Sequence, residues 1–178
     1  MTDRVRGFRI GRGTEDGVTI GPLIDRNAVD KAAALVGDAV QRGATLRTGG
    51  SAVEGNGTFY APTVLSDVHP ESDILREEIF GPVLTIVPFE DEDDAVRIAN
   101  STEYGLVSYV YTQNLARGQR MIERLQTGMM GLNVGVVSNA AAPFGGWPRP
   151  PQARRAAGPA RARCPCTHRN VVRLSWIA

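Results

Sequence analysis

The sequence of 178 residues has little lysine, few aromatic residues and only two cysteines, and these scarcities exclude several classes of protein. Lys31 is its only lysine, and aromatic residues make up 6% of it. Because Cys164 and Cys166 lie close together near the C-terminus, a disulfide framework is not expected. No run approaches the roughly 20 apolar residues of a membrane helix, and the first residues lack a secretory pattern. We therefore expect a cytoplasmic protein with its own hydrophobic core and no membrane partner.

The charges are distributed unevenly along the chain, although the net charge is only +1. Residues 1–146 contain 13 Lys and Arg and all 19 Asp and Glu, which gives −6. Residues 147–178 contain seven Arg, no acidic residue and five of the 11 Pro, which gives +7. This change predicts a boundary after Gly146 between a folded portion, residues 5–146, and an Arg/Pro/Ala-rich tail, residues 147–178.

Three interpretations of the tail remain open. Clustered arginines could bind nucleic acid through its phosphates, but no aromatic residue between Trp147 and Trp176 is available to stack on bases. High charge and poor apolar content instead favour a disordered, low-complexity end. The scarcity of lysine is typical of a GC-rich gene. Because slipped reading frames in such genes yield Arg, Pro, Ala and Gly, a slipped frame would also explain the composition of the tail. We favour the slipped frame and do not expect nucleic-acid binding.

Two groups of residues could suggest metal binding, and neither is expected to bind a metal. Cys164, Cys166 and His168 offer three zinc ligands, but a tetrahedral site needs a fourth and none is near. The acidic residues 91–94 stand at the start of a predicted helix, where carboxylates favour the positive end of the helix dipole. His69, before Pro70, is predicted to be a surface turn residue rather than a catalytic base.

Hydrophobic periodicity divides residues 1–146 into helices and strands. A helix is predicted over residues 27–42, ended by Gly43, and short strands over 44–48 and 59–65. A regular succession of strand, helix, strand, helix, strand follows, over residues 83–89, 92–100, 107–112, 115–126 and 130–134. This order implies parallel strands joined by right-handed crossovers, and therefore an α/β fold class.

Four stretches, in this order, resemble the aldehyde dehydrogenase superfamily over residues 5–146. They are residues 21–24, residues 77–83 with the sequence Glu-Glu-Ile-Phe-Gly-Pro-Val, residues 99–106 and residues 143–146. Residues 128–139 most resemble the succinate-semialdehyde dehydrogenases within that superfamily. The resemblance implies the parallel-sheet catalytic-domain portion of the aldehyde dehydrogenase fold, followed by an irregular tail.

The family resemblance implies an oxidoreductase that converts succinate semialdehyde to succinate with NAD or NADP. In this family a cysteine thiolate attacks the aldehyde and a glutamate activates water. The nucleotide-binding domain, the cysteine and the glutamate all precede Met1 in the family pattern. We therefore expect no catalytic residue in this chain, no activity from the chain alone, and no binding of the cofactor by the chain alone.

The resemblance assigns roles to four residues. Glu78 would bind the cofactor by accepting hydrogen bonds from the two hydroxyls of the nicotinamide ribose, since a carboxylate has two acceptor oxygens. Phe80 would pack near the nicotinamide. Ser138 would donate a hydrogen bond to the carboxylate of the substrate, and Phe144 would line the substrate tunnel and exclude water.

Residue types alone favour simpler interpretations of the same positions. Glu77 and Glu78 would be a solvated pair before a turn, and Phe144 would be a core residue. Asn133 is expected to be structural, at the end of its strand.

Two further hypotheses belong to other classes of protein. The chain could be a non-catalytic piece that complements a separately encoded upstream half, or an interaction protein that acts through its basic tail. The family continues after Gly146 with a Gly-rich turn, a helix and a strand that joins a neighbouring subunit. Here residues 147–151 read Trp-Pro-Arg-Pro-Pro, and because proline donates no hydrogen bond to a strand, a family-like oligomer is not expected.

Overall fold

The computed structural model of the chain describes residues 1–138 and 144–146. It divides into two compact units, residues 1–89 and a second unit that begins at Glu90. The tail after residue 146, with its cysteines and the interpretations attached to it, lies outside the described residues. Within the described part, no helix is both long enough and apolar enough to cross a membrane.

The first unit combines helices with a three-stranded mixed sheet. The sheet has the order β1-β2-β3, in which β1 and β2 are antiparallel while β2 and β3 are parallel. The elements in chain order are α1 (Thr2–Arg6), α2 (Arg26–Gln41), β1 (Thr45–Thr48), β2 (Thr63–Ser66), a short 3-10 helix (Asp73–Leu75) and β3 (Val83–Thr85).

The α2 helix covers the core of the first unit. It begins where the Asp25 side chain accepts a hydrogen bond of 2.8 Å from the Ala28 amide, which satisfies one of the unpaired donors of the first turn. Its buried residues recur at helical spacing, and they pack with buried side chains that include Tyr60 and Leu65. Gly43, at a φ of 100°, follows the end of the helix. The predicted helix over 27–42 is confirmed to within one residue at each end.

The second unit contains two helices and two parallel strands. They are α3 (Glu92–Asn100), β4 (Val107–Val110), α4 (Leu115–Arg124) and β5 (Met129–Leu132). The register runs from Val107 opposite Met129 to Val110 opposite Leu132. Since α4 joins the two strands, the predicted strand, helix, strand unit is confirmed here.

Both helices of the second unit begin at a capping side chain. Asp91 accepts a hydrogen bond of 2.8 Å from the Asp94 amide, and Asn114 accepts one of 3.0 Å from the Arg117 amide. The bond to Asp91 confirms that the acidic start of α3 serves as a cap. The apolar faces of the helices and strands enclose a small core of Val96, Val110, Met121, Leu125 and Met130.

Three sequence-based expectations about the strands are wrong. The strand predicted over 59–65 begins only at Thr63, because Pro62 has no amide proton to donate to the sheet. The strand predicted over 83–89 ends at Thr85. The predicted parallel pairing of this strand with the strand over 107–112 is also wrong. In the structure β3 pairs with β2 in the first sheet, and β4 pairs with β5 in the second.

Hydrogen bonds continue the pairing of β3 with β2 beyond both ends of the ladder. The Thr63 amide donates a hydrogen bond of 2.8 Å to the Pro82 carbonyl, immediately before the ladder begins. The Ile86 amide donates one of 2.9 Å to the Leu65 carbonyl, just after β3. β2 is almost wholly buried, as expected of the central strand of the sheet.

Candidate functional site

Glu78 and Phe80 lie in the segment that joins the 3-10 helix to β3. Both residues are exposed, and Phe80 has 76% of its surface accessible. The residues between and after them face inward, because Ile79 packs on the core and a Cβ at Gly81 would lie 3.5 Å from the Leu23 side chain. This alternation is that of an extended chain, in which every second side chain shares a face.

Backbone hydrogen bonds fix both ends of this segment. The amides of Arg76 and Glu77 each donate a bond of 2.9 Å to the Asp73 carbonyl, and the Pro82 carbonyl accepts the bond from β2 described above. The Glu77 carboxylate also lies 2.9 Å from the Lys31 ammonium group on α2. The two neighbouring carboxylates therefore differ, since Glu77 is paired with the only lysine of the chain.

Glu78 makes no hydrogen bond or ion pair with any residue in the part of the chain that the structure describes. Both of its carboxylate oxygens are free to accept hydrogen bonds, which suits a vicinal diol. The exposed ring of Phe80, two residues away, offers an apolar surface that water alone does not favour. A carboxylate with two unpaired oxygens and an exposed aromatic ring therefore lie two residues apart in this segment.

Ser138 and Phe144 belong to the second unit and are also exposed. Phe144 has 68% of its surface accessible, so the alternative that it is a simple core residue is wrong. A Cβ built on Gly128 would collide with the backbone of Gly145 and Gly146. The short segment that carries Phe144 therefore lies directly against the residue before β5, and only glycine allows that approach.

Asn133 shapes the turn that leads from β5 towards Ser138. Its φ is 55°, in the left-handed region, and its side-chain oxygen accepts a hydrogen bond of 2.9 Å from the Thr112 amide. Its side-chain nitrogen donates one of 2.9 Å to the Thr112 carbonyl, and its own amide donates one of 2.9 Å to Val110. The Asn133 side chain thus bonds to both backbone groups of Thr112, as the backbone of a neighbouring strand would. This confirms the expectation that Asn133 is structural.

The structure brings together Glu78 and Phe80, which belong to the first unit, whereas Ser138 and Phe144 belong to the second. No cluster of three His, Asp or Glu side chains is placed to hold a metal ion within residues 1–138 and 144–146. His69 is confirmed as an exposed turn residue, since its Nδ1 accepts a hydrogen bond of 3.2 Å from the Glu71 amide.

Sequence reasoning overlooked the α2 side chains that hold this site in place. The Asp38 carboxylate accepts a hydrogen bond of 3.0 Å from the Asp73 amide at the start of the 3-10 helix. The hydrogen bond from Arg42, 2.6 Å long, and the Asp73 amide both lower the pKa of Asp38. No motif marked Asp38, because helical periodicity assigns it only to a polar position.

Each of the two units combines helices with a β-sheet, which places the described residues in the α/β class. The family model described as "Aldehyde dehydrogenase family" matches residues 1–157. This chain therefore belongs to the aldehyde dehydrogenase family, and the resemblance inferred from its sequence motifs is confirmed.

Two curated relatives show which members of the family this chain is similar to, and how much of their length it covers. The succinate-semialdehyde dehydrogenase of Paenarthrobacter nicotinovorans is 50% identical over 136 residues, which cover 76% of this chain and 30% of that protein. The NADP(+) succinate-semialdehyde dehydrogenase of Escherichia coli K12 is 45% identical over 146 residues, which cover 82% and 30%.

Solved structures give the same result. The crystal structure of succinate-semialdehyde dehydrogenase from Burkholderia pseudomallei matches with a TM-score of 0.78 and 44% identity, and the match covers 82% of this chain and 30% of that one. The α/β fold class is confirmed. The chain spans about 30% of the length of the curated relatives that it matches.

Proposed function

We propose that this chain contributes residues to the active site of an NAD(P)-dependent aldehyde dehydrogenase that oxidises succinate semialdehyde to succinate. One observation carries the proposal. Glu78, with no partner among the described residues, and the exposed ring of Phe80 lie two residues apart in a segment that is otherwise anchored to the core. An exposed aromatic ring is stabilised when a ligand or another part of the enzyme covers it.

Glu78 and Phe80 are the residues that would hold the cofactor. When bound, NAD(P) supplies the acceptor for the hydride of the substrate. The Glu78 carboxylate accepts hydrogen bonds from both hydroxyls of the nicotinamide ribose, and these are strong because the acceptor is charged. Phe80 packs near the nicotinamide and limits the orientations that the ring can adopt.

Ser138 and Phe144 are the residues that would contact the substrate. The Ser138 hydroxyl donates one hydrogen bond to the distal carboxylate of succinate semialdehyde. A hydroxyl cannot neutralise that charge, so the family's arginines upstream of this segment would complete the site. Phe144 lines the approach to the aldehyde and excludes water from it.

The proposed reaction needs residues that this chain does not supply. The family's nucleophilic cysteine, its glutamate base and its nucleotide-binding domain come from the portion that precedes the matched residues. We therefore expect the 178-residue chain alone to be inactive, and the same residues to support activity once that portion is joined to them.

A hybrid enzyme tests the proposal. Residues 5–146 would replace the matching segment of the Paenarthrobacter nicotinovorans enzyme, whose own residues would continue the chain after Gly146. We expect the hybrid to reduce NAD or NADP with succinate semialdehyde, and the isolated chain to give no rate above a blank without protein. A rate from the isolated chain, or a folded hybrid with no rate, would contradict the proposal.

The role of Ser138 is tested in the same hybrid. We expect Ser138→Ala to raise the KM for succinate semialdehyde about tenfold, the effect of one hydrogen bond to a charged group, and to leave the KM for butanal unchanged. Ser51→Ala is the matched control, because Ser51 is an exposed serine of the first unit. Equal effects on the two aldehydes would show that Ser138 does not contact the substrate carboxylate.

A further inference from the structure

The α2 helix contacts the Glu78 segment at two points that are seven residues, about two turns, apart. Lys31 lies 2.9 Å from the Glu77 carboxylate, and Asp38 accepts the hydrogen bond of 3.0 Å from the Asp73 amide. Residues seven apart lie on the same face of a helix. One face of α2 therefore holds both the start of the 3-10 helix and the residue before Glu78.

The contact at Asp38 reaches Glu78 through a short series of backbone hydrogen bonds. The Asp73 amide donates to Asp38, and the Asp73 carbonyl accepts bonds of 2.9 Å from the amides of Arg76 and Glu77. Orienting the Asp73 peptide groups therefore sets the direction in which the chain leaves the 3-10 helix. Glu78 is the next residue after Glu77.

The hydrogen bond from Arg42 holds the Asp38 carboxylate in the orientation that accepts the bond from the Asp73 amide. The Arg42 guanidinium donates a bond of 2.6 Å to one carboxylate oxygen of Asp38, and the other oxygen accepts from Asp73. Only 25% of the surface of the Asp38 side chain is exposed. Its orientation is thus fixed by bonds to both oxygens.

We propose that Asp38 is a positioning residue that sets the direction of Glu78 towards the cofactor through the Asp73 peptide. This inference rests on the proposed cofactor role of Glu78. Asp38 itself touches neither cofactor nor substrate, and it acts by preorganising the carboxylate that does.

Hydrogen exchange on the full 178-residue chain tests the structural half of the inference. We expect Asp38→Ala to speed exchange of the amides of Asp73, Arg76 and Glu77 about tenfold, while the amides in the middle of α2 stay protected. Asp38→Asn keeps an acceptor oxygen and should restore most of the protection. Unchanged exchange at these amides in Asp38→Ala would overturn the inference.

Two control variants separate the Asp73 contact from helix stability. Asp30→Ala removes a carboxylate of the same helix that pairs only with Arg26, at 3.6 Å, and should leave the three amides unchanged. Arg42→Ala removes the ion pairs of Arg42 with Asp38 and with the Asp73 carboxylate, 4.0 Å away, but leaves the hydrogen bond from the Asp73 amide to Asp38, so we expect a smaller effect than in Asp38→Ala. If Asp30→Ala speeds exchange as much as Asp38→Ala does, the contact with Asp73 has no special role.

The hybrid enzyme tests the functional half. We expect Asp38→Ala to raise the KM for NAD(P) about fivefold to tenfold, with the KM for the aldehyde unchanged, and Asp38→Asn to recover most of this loss. If Glu78→Ala raises the cofactor KM and Asp38→Ala does not, the inference fails while the proposed function stands. If neither variant changes the cofactor KM, the proposed function fails with it.

Discussion

Substitutions at Asn133, in the turn after β5, are expected to lower the free energy of unfolding by graded amounts. Asn133 combines an unusual backbone conformation with two side-chain hydrogen bonds to the backbone of Thr112. Its φ of 55° costs an ordinary residue about 1 kcal/mol, a cost that glycine avoids. The two side-chain bonds to Thr112, each 2.9 Å long, contribute about 1 kcal/mol apiece. We therefore expect Asn133→Ala to lower the free energy of unfolding by about 3 kcal/mol and Asn133→Gly by about 2 kcal/mol.

Asn133→Asp completes the series, since a carboxylate keeps the acceptor for the Thr112 amide but loses the donor to its carbonyl. Its expected loss exceeds about 1 kcal/mol, because the second carboxylate oxygen would face the Thr112 carbonyl oxygen and be repelled by it. The free energies would be measured by urea unfolding of the 178-residue chain, followed by far-UV circular dichroism. Equal losses for alanine and glycine, or a loss below about 1 kcal/mol for both, would refute this account of the turn.

Two further predictions concern the second unit. Gly128→Ala should lower the free energy of unfolding by about 1–3 kcal/mol in the same urea assay, because the new Cβ meets the backbone of Gly145 and Gly146. Gly145→Ala, whose Cβ would meet nothing within 4 Å, should have little effect, and equal losses would contradict the packing. The hydrogen bonds from Arg120, followed by the charges of Arg120, Arg117 and Arg124, lower the pKa of Glu92 from its usual 4.5. The stability from Glu92 is therefore present above pH 4.5 and is lost as the pH falls through its lowered native pKa, so Glu92→Gln should flatten the acid limb of stability against pH.

The local elements of the fold could be predicted from the sequence. The apolar spacing within α2 and α4, and the acidic residues 91–94 at the start of α3, are short-range signals, and the structure has these helices close to the predicted bounds. The parallel crossover between β4 and β5 follows from the intervening helix. These features depend on residues within a few turns of one another.

The partner of β3 could not be predicted in this way. An apolar strand such as Val83–Thr85 suits any parallel neighbour, and the choice of β2 depends on a long-range bond between the Thr63 amide and the Pro82 carbonyl. Periodicity carries no information about which buried edge a strand meets. The same limit explains why two compact units were not anticipated.

The candidate site could be predicted in part. The motif around Glu78 and Phe80 was recognisable as a family signature, but residue types alone favoured a solvated carboxylate pair. The structure shows that the two carboxylates differ. Glu77 forms an ion pair with Lys31, whereas Glu78 makes no hydrogen bond or ion pair with any described residue. The contact of Asp38 with Asp73 joins residues 35 apart in sequence, and no pattern along the chain signals it.

The central claim is that the Glu78 carboxylate binds the hydroxyls of the nicotinamide ribose, and a double-substitution cycle in the hybrid enzyme tests it most directly. The dissociation constants of NAD(P) and of an analogue lacking one of these hydroxyls would be measured with and without Glu78→Ala. We predict that removing the hydroxyl weakens binding about tenfold when Glu78 is present and less than twofold in Glu78→Ala. Equal weakening in both proteins would mean that Glu78 does not contact the ribose, and the account would be wrong.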